Sequence, residues 1–286
     1  MENQSTADDT DQRFWKDKYN PDWVGPGEVK SLFKPSETSH KGENGQLFMI
    51  AGSEFYHGAL VYVAKSASKF VDLIFIYSTP GNLKILNKIK ENLAEFIPVS
   101  DENFDKYIKR SDVVLMGPGL GTSDKVKDLL GQVIREYPDK KFLLDADALK
   151  VLSPKIVNEN FVVTPHAGEF KDFFGVDASK EAAVEMAKKY GCTIVLKGPV
   201  DYICSPKGFK EDHAGNAGMT KGGTGDVLAG MIAALMTKND NFLSACAGAF
   251  LIGLAGDRLK EKVSYWYSAS DLIEEISKAR KWCEDF

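Results

Sequence analysis

From Gln46 onward, short uninterrupted apolar runs alternate with longer mixed stretches. Residues 46–51, 73–77, 113–116, 142–144, 161–163 and 193–196 are too short for helices and are bounded by glycine-rich or polar turns, so each predicts a strand. Their lack of polar alternation predicts strands buried on both faces. The stretches 59–70, 81–96 and 123–137 predict intervening helices. The last third predicts helices over 226–236, 242–260 and 269–282. The expected architecture is α/β, a mainly parallel central sheet with helices on both faces and right-handed crossovers. Residues 1–25 are polar, with Asp8, Asp9 and Asp11 close together and Trp15, Tyr19 and Trp23 interspersed. They read as a tail that its aromatics could dock, leaving 26–286 as one domain.

At 286 residues the chain can bury a substantial core, and 43% hydrophobic with 27% charged residues is ordinary for a globular protein. The net charge of −5 and pI of about 5.5 lack the electrostatic footprint of a nucleic-acid binder. Cys192, Cys204, Cys246 and Cys283 are widely spaced, with no C-x-x-C pair. That pattern predicts reduced thiols in a cytoplasmic protein rather than a disulfide framework or structural zinc. No basic start precedes an apolar stretch, so no signal peptide is expected. The apolar region 242–256 falls short of the ~20 residues that span a bilayer and predicts a buried helix instead.

Most of the predicted strands run into a glycine-rich or polar motif, and in open parallel sheets the ligand crevice lies at the strands' carboxyl ends. Several motifs separated in sequence are thereby expected in one crevice. The most telling runs from Asn216 through Gly222-Gly223-Thr224-Gly225-Asp226 into the apolar stretch 227–236. Glycines feeding a helix N-terminus make an anion site from unpaired backbone N–H groups and the helix dipole. Asp226 would repel a phosphate there unless it binds a metal or accepts a proton; the plainer reading is a first-turn helix acid.

The other motifs carry similar alternatives. Gly52 to Gly58 lacks the Lys-Ser/Thr of a P-loop, and could instead bring the Ala59 backbone close to a ligand. Gly117-Pro118-Gly119-Leu120-Gly121 resembles a dinucleotide fingerprint, but its third glycine comes one residue early, with Thr122 in the fingerprint's place. It still suits a wall against a flat or phosphorylated ligand. Asp145-Ala146-Asp147 offers paired acids for Mg²⁺, or a helix cap and a lysine partner. His166 in Thr164-Pro165-His166 is a ligand contact or a structural histidine, and Glu169 a helix-start acid or a water-mediated metal ligand. Lys197, followed by Gly198, suits a nucleotide phosphate or a surface ion pair.

The full set of motifs resembles the nucleotide-dependent NAD(P)H-hydrate dehydratases of the ribokinase-like superfamily. The matching residues are His40-Lys41-Gly42 with Gly45, Ala51-Gly52-Ser53 with Tyr56 and Gly58-Ala59, Gly117 to Gly121, Asp145 to Leu149, Thr164-Pro165-His166 with Gly168-Glu169-Phe170, Lys197-Gly198, and Gly215-Asn216 through Asp226, in the family's order over roughly 28–280. The resemblance implies a ribokinase-like α/β/α sandwich. It also implies a repair reaction in which ADP or ATP phosphorylates the ring hydroxyl of hydrated NADH or NADPH and phosphate is then eliminated. It implies Asp226 as base, with Gly223, Thr224 and Gly225 stabilising the transferred phosphoryl group. Ala59, Gly119, Gly121, His166 and Asp226 would meet the hydrated dinucleotide. Lys197, Gly198, Pro199, Val200, Asp201 and Gly225 would hold the adenine nucleotide. Mg²⁺ would bridge its phosphates, with Asp145 and Glu169 as candidate ligands through water.

The family tends to homo-oligomers, tetramers among them. It is often fused to an epimerase acting on the same substrate, which this chain is too short to include. Ala167 stands where the family often has proline, a mild departure. Lys221 stands where a small or polar residue is common and is expected to add a cation near the phosphates. The competing expectations are a ribokinase-like kinase of a small alcohol such as a vitamin precursor, and a non-catalytic adenine-nucleotide sensor, in which a carboxylate at position 226 would have no use.

Overall fold

A computed structural model describes residues 20–88 and 94–286. Nine strands form one sheet in the order β3-β2-β1-β4-β5-β6-β7-β8-β9. They are β1 (Gln46–Ile50), β2 (Leu73–Tyr77), β3 (Ile97–Val99), β4 (Val113–Met116), β5 (Lys141–Leu144), β6 (Phe161–Val163), β7 (Thr193–Leu196), β8 (Asp201–Ser205) and β9 (Gly208–Asp212). The strands from β1 to β7 pair in parallel, and β8 and β9 close one edge as an antiparallel hairpin. The chain builds outward from β1 to β3, then returns to lay β4 on the other side of β1, with Phe48 facing both Phe75 and Val114. That reversal makes the carboxyl ends of β1 and β4 a topological switch point, where their following loops part and leave a crevice.

Side-chain alternation splits the core into two layers. On one face Leu47, Met49, Leu115, Leu143 and Val195 pack against α2 (Gly58–Ala67), α9 (Thr224–Met236), α10 (Asn241–Val263) and α11 (Ala269–Asp285), with α1 (Pro26–Lys30) and α3 (Pro80–Lys88) beside them. On the other, Phe48, Phe75, Phe142, Phe161 and Ile194 pack against α4 (Phe104–Arg110), α5 (Asp124–Glu136), α6 (Asp147–Val151), α7 (Ala167–Phe174) and α8 (Lys180–Tyr190). Helix α9 is apolar all round because it is enclosed. A Cβ at its Gly230 would lie 2.5 Å from the Val63 carbonyl of α2, so only glycine allows this close crossing.

The strands 73–77, 113–116, 161–163 and 193–196 stand where the apolar runs predict them. The helix expected over 81–96 is Pro80–Lys88, followed by β3; residues 89–93 of that prediction lie outside the described residues. Helix α10 is longer than the expected 242–260, and its length and composition would allow it to cross a membrane, yet 78% of its apolar window is buried inside the fold. Of the predicted tail, residues 1–19 lie outside the described residues. Residues 20–25 run along the β9 edge, where Val24 N donates to the Glu211 carbonyl at 2.9 Å and Trp23 stacks on His213 at 4.3 Å.

Candidate active site

The crevice begins at the switch point. Gly52 N, just past β1, donates to the Pro118 carbonyl past β4 at 2.8 Å, tying the two parting loops together. Gly117 has φ +129°, and a Cβ there would lie 1.8 Å from the Asp145 carbonyl oxygen. Gly119 has φ +64°, and its Cβ would come 2.9 Å from Tyr56 Cβ and 3.3 Å from Ala59 Cβ. Gly121 N donates to Asp147 Oδ2 at 2.8 Å, while Lys150 Nζ donates to Asp147 Oδ1 at 2.8 Å. Ala59, Gly119 and Gly121 are therefore brought together as one backbone wall. Asp147 serves that wall as an anchor.

Across the crevice, the adjacent parallel ends of β5, β6 and β7 bring Asp145, His166 and Lys197 together. Asp145 is 2% exposed and accepts Thr164 Oγ1 at 2.8 Å and Lys197 Nζ at 2.9 Å. The next residue, Ala146, takes φ +50°, a strained value for a non-glycine residue of the kind that clusters at functional sites. His166 N-caps α7: its Nδ1 accepts Gly168 N at 3.1 Å and Glu169 N at 3.2 Å, and its own N–H donates to Glu169 Oε2 at 3.0 Å. The ring is otherwise exposed, with Nε2 3.5 Å from Glu169 Oε1. His166 is thus a capping residue by one nitrogen and open to a ligand by the rest of the ring. Lys197 N donates to the Pro165 carbonyl at 2.9 Å, and Nζ also stands 3.9 Å from Glu169 Oε2. Burial would lower the Lys197 ammonium, but the carboxylates of Asp145 and Glu169 outweigh it and hold the group above its ordinary value. The turn after Lys197 closes when Gly198 N donates to Asp201 Oδ1 at 2.8 Å, and burial pushes that carboxyl up to about 6. Gly198, Pro199 and Val200 make that turn, and Asp201 opens β8.

The N-terminus of α9 completes the site. Gly223 caps it at φ +96°, and a Cβ there would meet Tyr62 of α2 at 2.5 Å. A Cβ on Gly225 would stand 3.7 Å from Lys197 Nζ, so the bare glycine leaves the ammonium facing the first helical turn. Asp226 follows in that turn, half-buried, and among the described residues no hydrogen bond or ion pair holds its carboxyl. Burial, then the charge of Asp145, push it up to about 7, against the opposing pull of Lys197. Such a carboxyl is poised to take a proton near neutrality. Thr224 contributes differently: its hydroxyl donates to the Met219 and Lys221 carbonyls at 2.7 and 2.9 Å, shaping the loop.

The structure revises the expectation for Lys221. Lys221 donates its ammonium to the Tyr265 and Tyr267 carbonyls and lies 5.1 Å over the Tyr267 ring, so it braces the loop after α10. The Lys197 ammonium stands between Asp145 and Glu169, 2.9 Å from the one and 3.9 Å from the other. Among the described residues no group of three His, Cys, Asp or Glu could hold a metal ion.

Sequence reasoning did not anticipate the scaffold of the glycine loop. Asn216 Oδ1 accepts Gly218 N at 3.0 Å and Tyr267 O–H at 2.7 Å, while its Nδ2 donates to Asp257 Oδ1 at 2.9 Å. Asp257 and Tyr267 lie far away in sequence and carry no local signal. Thr164 stood inside a quoted motif, but nothing in its spacing revealed a bond to Asp145.

A half-buried cation facing a glycine-built helix terminus, with an unpaired acid in its first turn, is an anion-binding site of an α/β fold beside a candidate proton acceptor. The fold agrees with a ribokinase-like superfamily protein from Enterococcus faecalis V583, matched with a TM-score of 0.83 at 24% identity over 93% of this chain and 98% of that one. A family model described as NAD(P)H-hydrate dehydratase matches residues 47–278, and the chain belongs to that family. An ADP-dependent (S)-NAD(P)H-hydrate dehydratase of Nitrosopumilus maritimus is 36% identical, over 87% of this chain and 93% of its own length. A bifunctional NAD(P)H-hydrate repair enzyme of Methanocaldococcus jannaschii is 41% identical over 90% of this chain. The chain spans about half, 52%, of the length of that bifunctional relative.

Proposed function

We propose that the chain, with 26–286 as its catalytic domain, restores hydrated NADH or NADPH to the reduced cofactor at the expense of ADP or ATP. The observation that carries this reading is the unpaired Asp226 carboxyl at the glycine-capped terminus of α9, within the electrostatic reach of Lys197 and of Asp147, which anchors Gly121. The ring hydroxyl of the substrate would sit against Asp226, with Ala59, Gly119, Gly121 and the open edge of His166 around the dinucleotide. The adenine nucleotide would lie over Lys197 to Asp201 and Gly225. Asp226 takes the hydroxyl proton as the oxygen attacks the terminal phosphorus, and the bond from that phosphorus to the nucleotide oxygen breaks. Unpaired N–H groups of the first turn of α9, together with Lys197, stabilise charge on the transferred group. Loss of phosphate from the ring carbon, with a proton from its neighbour, then restores the carbon–carbon double bond. Asp145 and Glu169 are engaged by Lys197 and do not fit a direct Mg²⁺ site; Mg²⁺ accompanying the nucleotide would supply neutralising charge, and no step above depends on it.

All four cysteines are buried and free, which supports a cytoplasmic setting. A homo-oligomer and a separate epimerase for the other hydrate epimer complete the proposal. The test is absorbance near 340 nm with hydrated NADH, Mg²⁺ and either ADP or ATP. A nucleotide-dependent rise supports dehydration and identifies the donor. No rise with either nucleotide overturns it, and a stable phosphorylated alcohol in a substrate screen would put a kinase in its place.

A further inference from the structure

Asp145 and Glu169 are 2% and 6% exposed, and their carboxylates converge on one point. Two buried carboxylates need a compensating charge, or one of them must stay protonated. Thr164 Oγ1 and the His166 N–H each supply a hydrogen bond but no full charge. Lys150 is committed to Asp147. The exposed His166 imidazole reaches Glu169 alone, with Nε2 3.5 Å from Oε1, whereas Lys197 spans both acids, 2.9 Å from Asp145 and 3.9 Å from Glu169. Its position follows from the sheet. The bond from Lys197 N to the Pro165 carbonyl sets the end of β7 in register with the end of β6, where Glu169 is anchored through His166. Asp145 comes from the end of β5, next to β6.

We propose that Lys197 is the resident cation of the Asp145–Glu169 pair: a built-in ammonium fills the place where these carboxylates would otherwise collect a divalent metal. The nucleotide-free protein therefore takes up no Mg²⁺ at this pair, because a divalent ion would have to displace or abut a like charge. The same ammonium faces the first turn of α9, close to Gly225. It can therefore serve the acids in the free protein and share its charge with a phosphate when one arrives. This deepens the reading above by naming the cation of that site. It is tested by metal uptake, so dehydratase activity could be absent while it holds.

The experiment titrates Mn²⁺ into nucleotide-free protein, followed by electron paramagnetic resonance, with Mg²⁺ thermal shifts in parallel. Lys197→Met keeps the aliphatic stem and frees the acids. It is expected to bind Mn²⁺ at least about tenfold more tightly than the wild type and to be stabilised by Mg²⁺. Lys197→Arg keeps a cation and should behave as wild type. Adding Glu169→Gln to Lys197→Met should abolish the gain. The proposal is overturned if wild-type protein binds Mn²⁺ as tightly as Lys197→Met, or if Lys197→Met gains no binding. Should Lys197→Met not fold without metal, recovery on refolding with Mn²⁺ supports it. Failure to recover leaves the decision to the wild type, where Mn²⁺ uptake lost on Glu169→Gln overturns the proposal.

Discussion

Asp72 and Asp226 stand at opposite ends of the sheet and show how one residue type is put to two uses. Asp72 precedes β2 at the sheet's amino end and lines a groove of about 480 Å³. Its Oδ2 accepts Gly42 N at 2.7 Å and Asn44 N at 3.0 Å. Burial tends to raise it, but these backbone donors outweigh burial and hold it below the ordinary 3.8. Asp226, at the carboxyl end, has no such donors and is pushed up to about 7. A carboxylate satisfied by the backbone fastens a loop. One withheld from partners, among buried charges, is pushed toward its neutral form. Charges lining the groove at the amino end are already paired at the surface, Lys34 with Glu284 at 3.7 Å and Lys69 with the neighbouring Glu274 at 3.9 Å, and solvent-screened pairs of this kind contribute little.

The largest expected effect is at Asp226. Asp226→Asn should lower kcat by about 10²–10⁴-fold while nucleotide binding, read by calorimetry, stays near wild type. Asp72→Asn should leave kcat alone. An equal loss in both variants would break the contrast.

Backbone geometry at the crevice comes next. Gly117→Ala places a methyl 1.8 Å from the Asp145 carbonyl at φ +129°, and should cost about 3 kcal/mol or more in chemical denaturation. Gly121→Ala meets nothing within 4 Å at φ +78°, and should cost about 1 kcal/mol. Equal losses would mean that the close approach at Gly117 does not matter.

The acid limb of kcat/KM tests the Asp226 environment. A base titrating at about 7 predicts a roughly tenfold fall per pH unit below that value. A limb near 4 would show a carboxyl in ordinary surroundings.

The smallest effects are on stability, and their signs oppose. Asp226 binds its proton more tightly folded than unfolded, so its contribution declines as pH rises from about 4 to about 7. Asp72 is depressed, so its contribution is present above 3.8 and is lost as pH falls through the lower folded value. Melting temperatures of Asp226→Asn should therefore gain on wild type toward pH 8. Those of Asp72→Asn should lose least relative to wild type near pH 3. Parallel pH slopes in the two variants would refute the assignment of roles.

The hairpin β8–β9 shows why part of the fold escaped the sequence. The edge strand β9 is mostly half-buried and β8 is buried only over its last three residues, neither with a long apolar run, whereas the central strands are buried throughout and therefore read directly. The motifs of the crevice were legible because strand–turn–helix junctions carry their glycines and acids locally. The division of labour among those acids was not legible. Asp145, Asp147, Glu169 and Asp226 are chemically alike in one dimension.

The sequence by itself determined the layered α/β architecture, the glycine-built terminus of α9 and the family, since each depends on local pattern or on motif order. Only the tertiary structure decided that Asp147 anchors Gly121, that Lys197 engages Asp145 and Glu169, that Lys221 braces a loop and that, of the four crevice acids, Asp226 is the one left unpaired among the described residues. These outcomes depend on which groups meet across adjacent strands and on how far each is removed from water, and neither is written in any single stretch of chain.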